Sequence, residues 1–409
     1  MIKDEVFSEA AVRYGTPFYL LDIDEWNWCV MNTRERLGTK ISICYAMKAN
    51  PFLVSCLTDD IELIEACSTG EYAICRKQGI PVEKIVVSGV LKEKVDMERI
   101  IREEKYPPLF SAESETQFHM FCRIARETGK ELRILLRLSS GNQFGMSLPQ
   151  VESAMAESIA EPMIKVIGLH YYSGTQKSSL ERIIHELLYL DNICKNIEEH
   201  YKIRLEHLEY GPGLYVEYFQ KEKNCMADDF LEKLRSCVAE MQFKGTIVLE
   251  IGRFLAAFCG YYVTAIRELK RGEREQYAIV DGGTHHLHYA GQMVAMNTPF
   301  FRQIPFAESE TAEAWHICGA LCTSNDILAR WLPLRKAVPG GLLVFERAGA
   351  YSMTEGMNLF LSRDLPGVVV YRNGMGIIQV RQGIPTYPVN MPLIPIDRKA
   401  AGKREVYDE

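Results

Sequence analysis

No stretch of this 409-residue chain stays apolar long enough to span a bilayer. The longest hydrophobic runs break within about ten residues, against roughly twenty for a spanning helix. The start, Met1-Ile-Lys-Asp-Glu5, lacks a signal-peptide pattern, and the 12 cysteines lack the paired spacing of a disulfide framework. Both absences point to the cytoplasm, with most thiols packed as small apolar groups. Cations are not in excess: 47 Lys and Arg against 54 Asp and Glu leave a formal charge of −7. That balance excludes a basic nucleic-acid surface and offers no attraction to an anionic membrane. The composition that remains, 47% hydrophobic and 25% charged, is that of a globular protein with room for a barrel-sized domain and a smaller one.

From residue 41 a strand-then-helix alternation sets in. Short β-prone runs at 41–47, 61–67, 84–89, 108–112, 132–138, 165–172, 206–210 and 245–250 are separated by amphipathic stretches such as 115–130, 178–201 and 227–242. Eight such units fit a closed parallel (β/α)8 TIM barrel, and a doubly wound open sheet shares the alternation. After Arg253 the texture changes. Runs at 260–269, 276–283, 342–345 and 368–372 are β-rich, punctuated by Gly and Pro, and lack long helices between them. They are expected to form an antiparallel β domain. The expected division is a barrel over 25–255 and a β domain from 1–24 plus 256–409, with a charged mobile tail from Asp397.

The unusual residues fall just after the strands. Lys48 follows the first, Cys67-Ser-Thr-Gly-Glu71 the second, and Ser88-Gly89 the third. Glu113 comes after the fourth, Arg137 ends the fifth, and His170-Tyr-Tyr-Ser173 closes the sixth. Gly211-Pro-Gly213 and Glu250-Ile-Gly-Arg253 end the last two. In a barrel all eight strand ends open onto one face, so these residues would converge.

Each piece has a chemical reading and a bland one. An ammonium at Lys48 is costly to bury, so it needs a carboxylate or a use; a snorkelling lysine is the alternative. Gly211 and Gly213 can bring backbone N–H groups to an anion, although Pro212 removes one donor, and Gly252-Arg253 adds a turn and a permanent cation. Singly, either is also a tight βα turn. Glu250 could hold a protonated ring nitrogen or pair with Arg137 or Arg253; His170 could stack on a ring or be a satisfied core histidine. One ligand uses every piece, pyridoxal 5'-phosphate. The lysine would form its Schiff base, the carboxylate would keep its pyridine nitrogen protonated, and the amides would hold its phosphate.

Four segments carry a family resemblance: Tyr45-Ala-Met-Lys-Ala-Asn50, Glu250-Ile-Gly-Arg253, Cys318-Gly-Ala-Leu-Cys-Thr-Ser-Asn-Asp326 and Gly349-Ala-Tyr351. In this order they resemble the main signatures of the barrel-fold (type III, alanine-racemase-like) pyridoxal-phosphate decarboxylases, the diaminopimelate and ornithine decarboxylase family. The resemblance runs from about residue 14 to about residue 385. It implies that Lys48 is the Schiff-base lysine, His170 stacks on the ring, Glu250 pairs with the ring nitrogen, and Ser173 helps hold the phosphate. It places Gly211, Gly213, Gly252, Arg253 and Tyr351 around the phosphate, and Glu71 and Arg137 in support near the lysine and ring. Cys322 matches the residue that enters from the partner subunit of a homodimer with shared sites and protonates the carbanion after carbon dioxide leaves. Thr323, Asp326 and Tyr351 match substrate-contacting positions. No metal is implied. In a β segment His286 and His288 would share one face while His285 points away, which does not suit zinc.

The departures concern the substrate. Family members that act on diamino acids commonly carry an acid after the catalytic cysteine, where this chain has Thr323. The arginine- and tyrosine-bearing segment that grips a distal carboxylate in diaminopimelate enzymes should follow Asp281-Gly-Gly283, and residues 291–300 contain neither residue type. These features are similar to the branch that decarboxylates carrier-protein-bound glutamate in butirosin biosynthesis. They imply α-decarboxylation of an amino acid whose far end is masked, extended or carrier-bound, in secondary metabolism. Diaminopimelate or another diamino acid is the alternative substrate, and a racemase the alternative reaction.

Overall fold

Runs such as Ile41-Ser-Ile-Cys-Tyr-Ala46 combine β-branched, aromatic and small residues without polar alternation, the composition of a strand buried on both faces. The computed structural model describes residues 2–222, 226–289 and 294–393. The chain divides into two compact units, one formed by Ile23–Cys259 with Gly349–Tyr351, the other by the remaining residues. The chain opens in the second unit, with helix α1 (Asp4–Tyr14) and strand β1 (Phe18–Asp22).

Helix α2 (Ile23–Leu37) begins the first unit. Strands β2 (Ile41–Ala46), β3 (Leu63–Ala66), β4 (Ile85–Val87), β5 (Leu109–Ala112), β6 (Leu132–Leu138), β7 (Ile164–Tyr172), β8 (His207–Gly211) and β9 (Thr246–Ile251) follow. They pair in sequence, all parallel, and β9 returns to β2, so the sheet is a closed barrel and not an open one. Helices α3 (Thr69–Lys77), α4 (Lys94–Glu103), α5 (Glu115–Thr128), α6 (Leu148–Ile159), α7 (Leu180–Tyr201) and α8 (Phe230–Glu240) lie between strands, and the short α9 (Arg253–Ala256) follows β9. Three of these helices start on serine caps, whose hydroxyls accept the N–H of Glu71, Gln117 and Arg182. A layer of Cys44, Val86, Leu135, Ile167 and Val248 fills the barrel. Beyond it the interior turns ionisable. The register sets Ala46 beside Glu65, Cys44 beside Glu250 and His170 beside Glu209, gathering charge at the C-terminal ends of the strands.

The second unit continues with β10 (Gly260–Arg271), β11 (Gln276–Val280), β12 (Phe301–Ile304), β13 (Ala312–Cys318), β14 (Ile327–Arg335), β15 (Leu342–Phe345), β16 (Gly367–Arg372) and β17 (Gly376–Arg381). The expected antiparallel sheet is in fact mixed, because β1 runs parallel to β16 and β11 parallel to β13. Neither pair is joined by a hairpin, so no tight turn forces opposite directions. Phe7, Phe18, Leu20, Val263 and Val344 share its core. A second correction concerns Asp281–His288, which is a turn and not a strand, so face alternation does not apply. The His285 and His286 rings lie 3.6 Å apart, and His288 Nε2 is 3.3 Å from Glu355. Among the described residues no three His, Cys, Asp or Glu side chains group as a metal site, and no helix is long and apolar enough to cross a membrane. Residues 290–293, part of the segment read for substrate recognition, and the tail from Asp397 lie outside the described residues.

Leu135 is fully buried in the barrel layer. Leu135→Ala is expected to lower unfolding free energy by about 2–5 kcal/mol, read from the shift in denaturant midpoint.

Candidate active site

Lys48 reaches the mouth of the barrel from a short 3-10 turn after β2; Asn50 closes that turn by donating its N–H to the Met47 carbonyl, and its side chain accepts the Phe52 N–H to start the next turn at Pro51. Its Nζ donates to Glu65 Oε2 at 2.7 Å and lies 3.6 Å from the Cys67 sulfur. Ser88 Oγ donates to the other Glu65 oxygen at 2.5 Å and sits 3.4 Å from the same sulfur, closing a ring of four groups. The Lys48 side chain remains 44% exposed to the cleft. Desolvation by the surrounding walls pulls its amine down, but Glu65, Cys67 and Glu250 outweigh this and hold it well above the ordinary lysine range.

Glu250 ends β9 and lines the same cleft. Its Oε1 lies 3.1 Å from His170 Nε2, yet neither atom makes a well-directed hydrogen bond. Burial raises the Glu250 carboxyl, and the charge of His170, then that of Lys48, overcomes the effect and leaves it lowered. On the neighbouring strand, burial followed by the Glu250 charge pushes Glu209 well above its ordinary value, while its Oε2 lies 2.9 Å from His207 Nε2. Glu71 accepts the Cys67 N–H at 2.7 Å, and burial pushes its carboxyl up.

Arg253 is 7% exposed, and among the described residues no carboxylate lies within ion-pair distance of it. Its Nε donates to Thr175 Oγ1 at 3.2 Å and its Nη1 to the Tyr218 hydroxyl at 3.0 Å. The Tyr351 ring lies under the guanidinium, 4.6 Å away. Gly213 has φ +59°, and a Cβ there would stand 2.0 Å from the Gly174 carbonyl oxygen, so only glycine lets these two loops meet. At Gly211 a Cβ would strike the Tyr172 ring at 2.6 Å.

Several expected residues take other places. His170 is wholly buried, with Nδ1 2.9 Å from Ser111 Oγ, and does not line the cleft; Tyr172, two residues on along the same strand face, does. Ser173 is turned away: its hydroxyl donates to Glu186 and accepts from Lys177. Thr175 lines the cleft instead, after Gly174 has reversed the chain at φ +132°. Arg137 is committed to Glu113 at 2.6 Å and stacks with Phe144. In the other unit, Asp326 is engaged by its own neighbours. Its carboxylate accepts from Thr284 N, Thr284 Oγ1 and Leu321 N at 2.7, 2.9 and 2.8 Å, and so shapes the loop that exposes Cys322. Thr323 lies on that loop, its Oγ1 accepting from Asn325 N at 3.4 Å.

The groups at this mouth suit one kind of ligand. A buried guanidinium with no carboxylate near it among the described residues calls for an anion, two glycine-bearing loops close together bring Thr175 and backbone to the same cleft, and Glu250 lacks a good donor at Oε1. These residues fit pyridoxal phosphate. Residues 29–257 match the model of the pyridoxal-binding domain of pyridoxal-dependent decarboxylases, more than half of the chain. The chain belongs to the pyridoxal-dependent decarboxylases. This decarboxylase is 29% identical over 397 residues to the L-glutamyl-[BtrI acyl-carrier protein] decarboxylase of Niallia circulans, covering 91% of this chain and 92% of that protein. It is 25% identical over 378 residues to the 2-[(L-alanin-3-ylcarbamoyl)methyl]-2-hydroxybutanedioate decarboxylase of Staphylococcus aureus, covering 85% of this chain and 92% of the relative. Its fold matches the crystal structure of diaminopimelate decarboxylase from M. jannaschii in complex with L-lysine, with TM-score 0.83, 20% identity, and coverage of 93% and 92%.

Glu65, Thr175 and Glu209 had no distinguishing sequence signal of their own, although an acid on the strand next to the lysine's could have been sought; Cys67 and Tyr172 lie in the strand-end segments singled out above. Because the Lys48 amine is held protonated, capture of pyridoxal phosphate by cofactor-free decarboxylase should quicken about tenfold per pH unit between roughly pH 7 and 9. Glu65→Gln removes the main charge raising the amine and leaves burial to lower it. Stopped-flow absorbance should show faster capture at pH 8 and a weaker pH slope; slower capture with an unchanged slope contradicts the pairing.

Proposed function

We propose that this decarboxylase removes the α-carboxyl group of an L-amino acid whose distal end is masked, extended or carrier-bound. The observation that carries the reading is Thr323 beside Cys322, where an uncharged hydroxyl offers no ionic partner to a distal ammonium. A desolvated ammonium left without a carboxylate costs several kcal/mol, which disfavours free diamino acids. The two curated relatives described above support it: one name gives a carrier-linked glutamyl group, the other an alanine amide-linked through its 3-position to a hydroxybutanedioate.

Pyridoxal phosphate, when bound, supplies a carbonyl that captures amines and a ring that accepts the electrons left when carbon dioxide departs. In this reading Lys48 holds the cofactor covalently, and Glu65 takes and returns the Lys48 proton. Glu250, kept ionised, accepts a hydrogen bond from the ring nitrogen, while neutral Glu209 supports that charge state. Arg253, Thr175, Tyr351 and the Gly213 backbone hold the phosphate, and Tyr172 bounds the ring face. Cys322 delivers a proton to the α-carbon from the partner subunit of a homodimer.

Carbon dioxide release measured with carrier-linked glutamate, amide-extended amino acids, and free diaminopimelate, ornithine and lysine tests the substrate class. Masked substrates should exceed the free diamino acids in kcat/KM by about 100-fold, the equivalent of one lost ion pair; efficient use of free diaminopimelate overturns the reading. Mixed Lys48→Ala and Cys322→Ala proteins should recover about a quarter of wild-type activity, because half of randomly formed dimers carry one intact site. No recovery despite proven subunit exchange overturns the shared site.

A further inference from the structure

A second set of charged groups is sealed into the barrel unit behind the cleft. Lys177 is 3% exposed and Glu186 8% exposed. Lys177 Nζ donates to Glu186 Oε2 at 2.7 Å and to Ser173 Oγ at 2.6 Å. The Glu186 carboxylate also accepts from Ser173 Oγ at 2.7 Å, the Tyr210 hydroxyl at 2.6 Å and Arg182 Nε at 3.3 Å. These donors come from the loop after β7, from β8 and from α7 itself, so one carboxylate ties three elements together. None of these side chains lines the cleft.

What they fix is the loop that does. Lys177 N donates to the Gly213 carbonyl at 2.8 Å, and the Gln176 amide clasps Val216 through both its oxygen and its nitrogen at 2.9 Å. Gln176 holds the left-handed φ of +57°, an unfavourable backbone state for a side chain that long unless the surroundings impose it. The segments 173–177 and 213–216 are therefore two arms of one clasp, with Thr175 on one and Gly213 on the other. A buried ion pair is a poor way to gain stability, since apolar residues of equal volume serve as well or better. Its forked, directional bonds are suited to setting position.

We propose that Lys177 and Glu186 are positioning residues for the phosphate cradle, holding Thr175 and Gly213 at the separation a phosphate group requires. This rests on the reading of Thr175, Gly213 and Arg253 as the phosphate contacts. The test compares pyridoxal phosphate with pyridoxal, the same ring without its phosphate, by absorbance titration of cofactor-free protein. Thermal midpoints are recorded alongside. In Lys177→Met, Glu186→Gln and the Lys177→Met/Glu186→Leu double variant, the pyridoxal phosphate Kd should rise about 10- to 100-fold, while the pyridoxal Kd changes less than about twofold. The double variant should keep its thermal midpoint within a few degrees and show the same selective loss. Tyr210→Phe removes one donor with little change of volume, and should shift the ratio of the two Kd values about two- to fivefold even if the other variants fail to fold. Equal weakening of both ligands, or an unchanged ratio in Tyr210→Phe, overturns the proposal. A wild-type protein that binds both ligands equally removes the cradle itself, and this proposal with it.

Discussion

An arginine enclosed by protein, with no carboxylate among the described residues at ion-pair distance, is the constraint around which the barrel mouth is arranged. Arg253 spends its hydrogen bonds on two neutral hydroxyls and lies against tyrosine rings, none of which cancels its charge. Leaving such a cation uncompensated is costly, so the site is complete only with an anion in place. The nearby acids are engaged elsewhere. Glu65 belongs to Lys48, Glu113 to Arg137, and Glu250 faces His170. On the proposed reading, the mouth keeps one cation for a ligand's anion and one lysine for its carbonyl.

This separation of charges follows from parallel closure. Every strand of the barrel points its C-terminal end the same way, so residues two hundred positions apart share one rim, and the apolar layer beneath excludes water from below. In that low-dielectric setting two neighbouring carboxyls are driven apart: Glu250, facing His170 and the Lys48 charge, is lowered, while Glu209, 2.9 Å from His207 but beside the Glu250 charge, is raised. Further back, Lys177 and Glu186 spend their charge on geometry. The side chains that meet the ligand and those that hold them in place occupy successive depths of the same barrel end.

Much of this was legible in the chain. The period of strand and helix placed all eight barrel strands within about two residues, because strands buried on both faces read as continuous apolar runs. Lys48, Glu250 and Arg253 were visible because a charged residue ending such a run is out of place there. The second sheet was less legible. Strands β13 and β14 lie in mixed, partly exposed sequence, and parallel pairing between distant segments leaves no turn signal. At the end of β7 the sequence leaves open which side chains border the cleft. His170 and Ser173 have the right chemistry, but only the backbone path through Gly174 reveals that Tyr172 and Thr175 are the residues turned to the cleft. For Asp326, sequence likewise does not disclose the three donors from Thr284 and Leu321 that its carboxylate accepts within its own unit.

The most direct measurement of the central claim is chemical. Protein reconstituted with pyridoxal phosphate is reduced with borohydride, digested, and the pyridoxyl group located by mass spectrometry. The account predicts one equivalent per chain on Lys48, lost in Lys48→Ala. Label on Lys92, Lys177 or any other amine, or none at all on a folded protein, would contradict it.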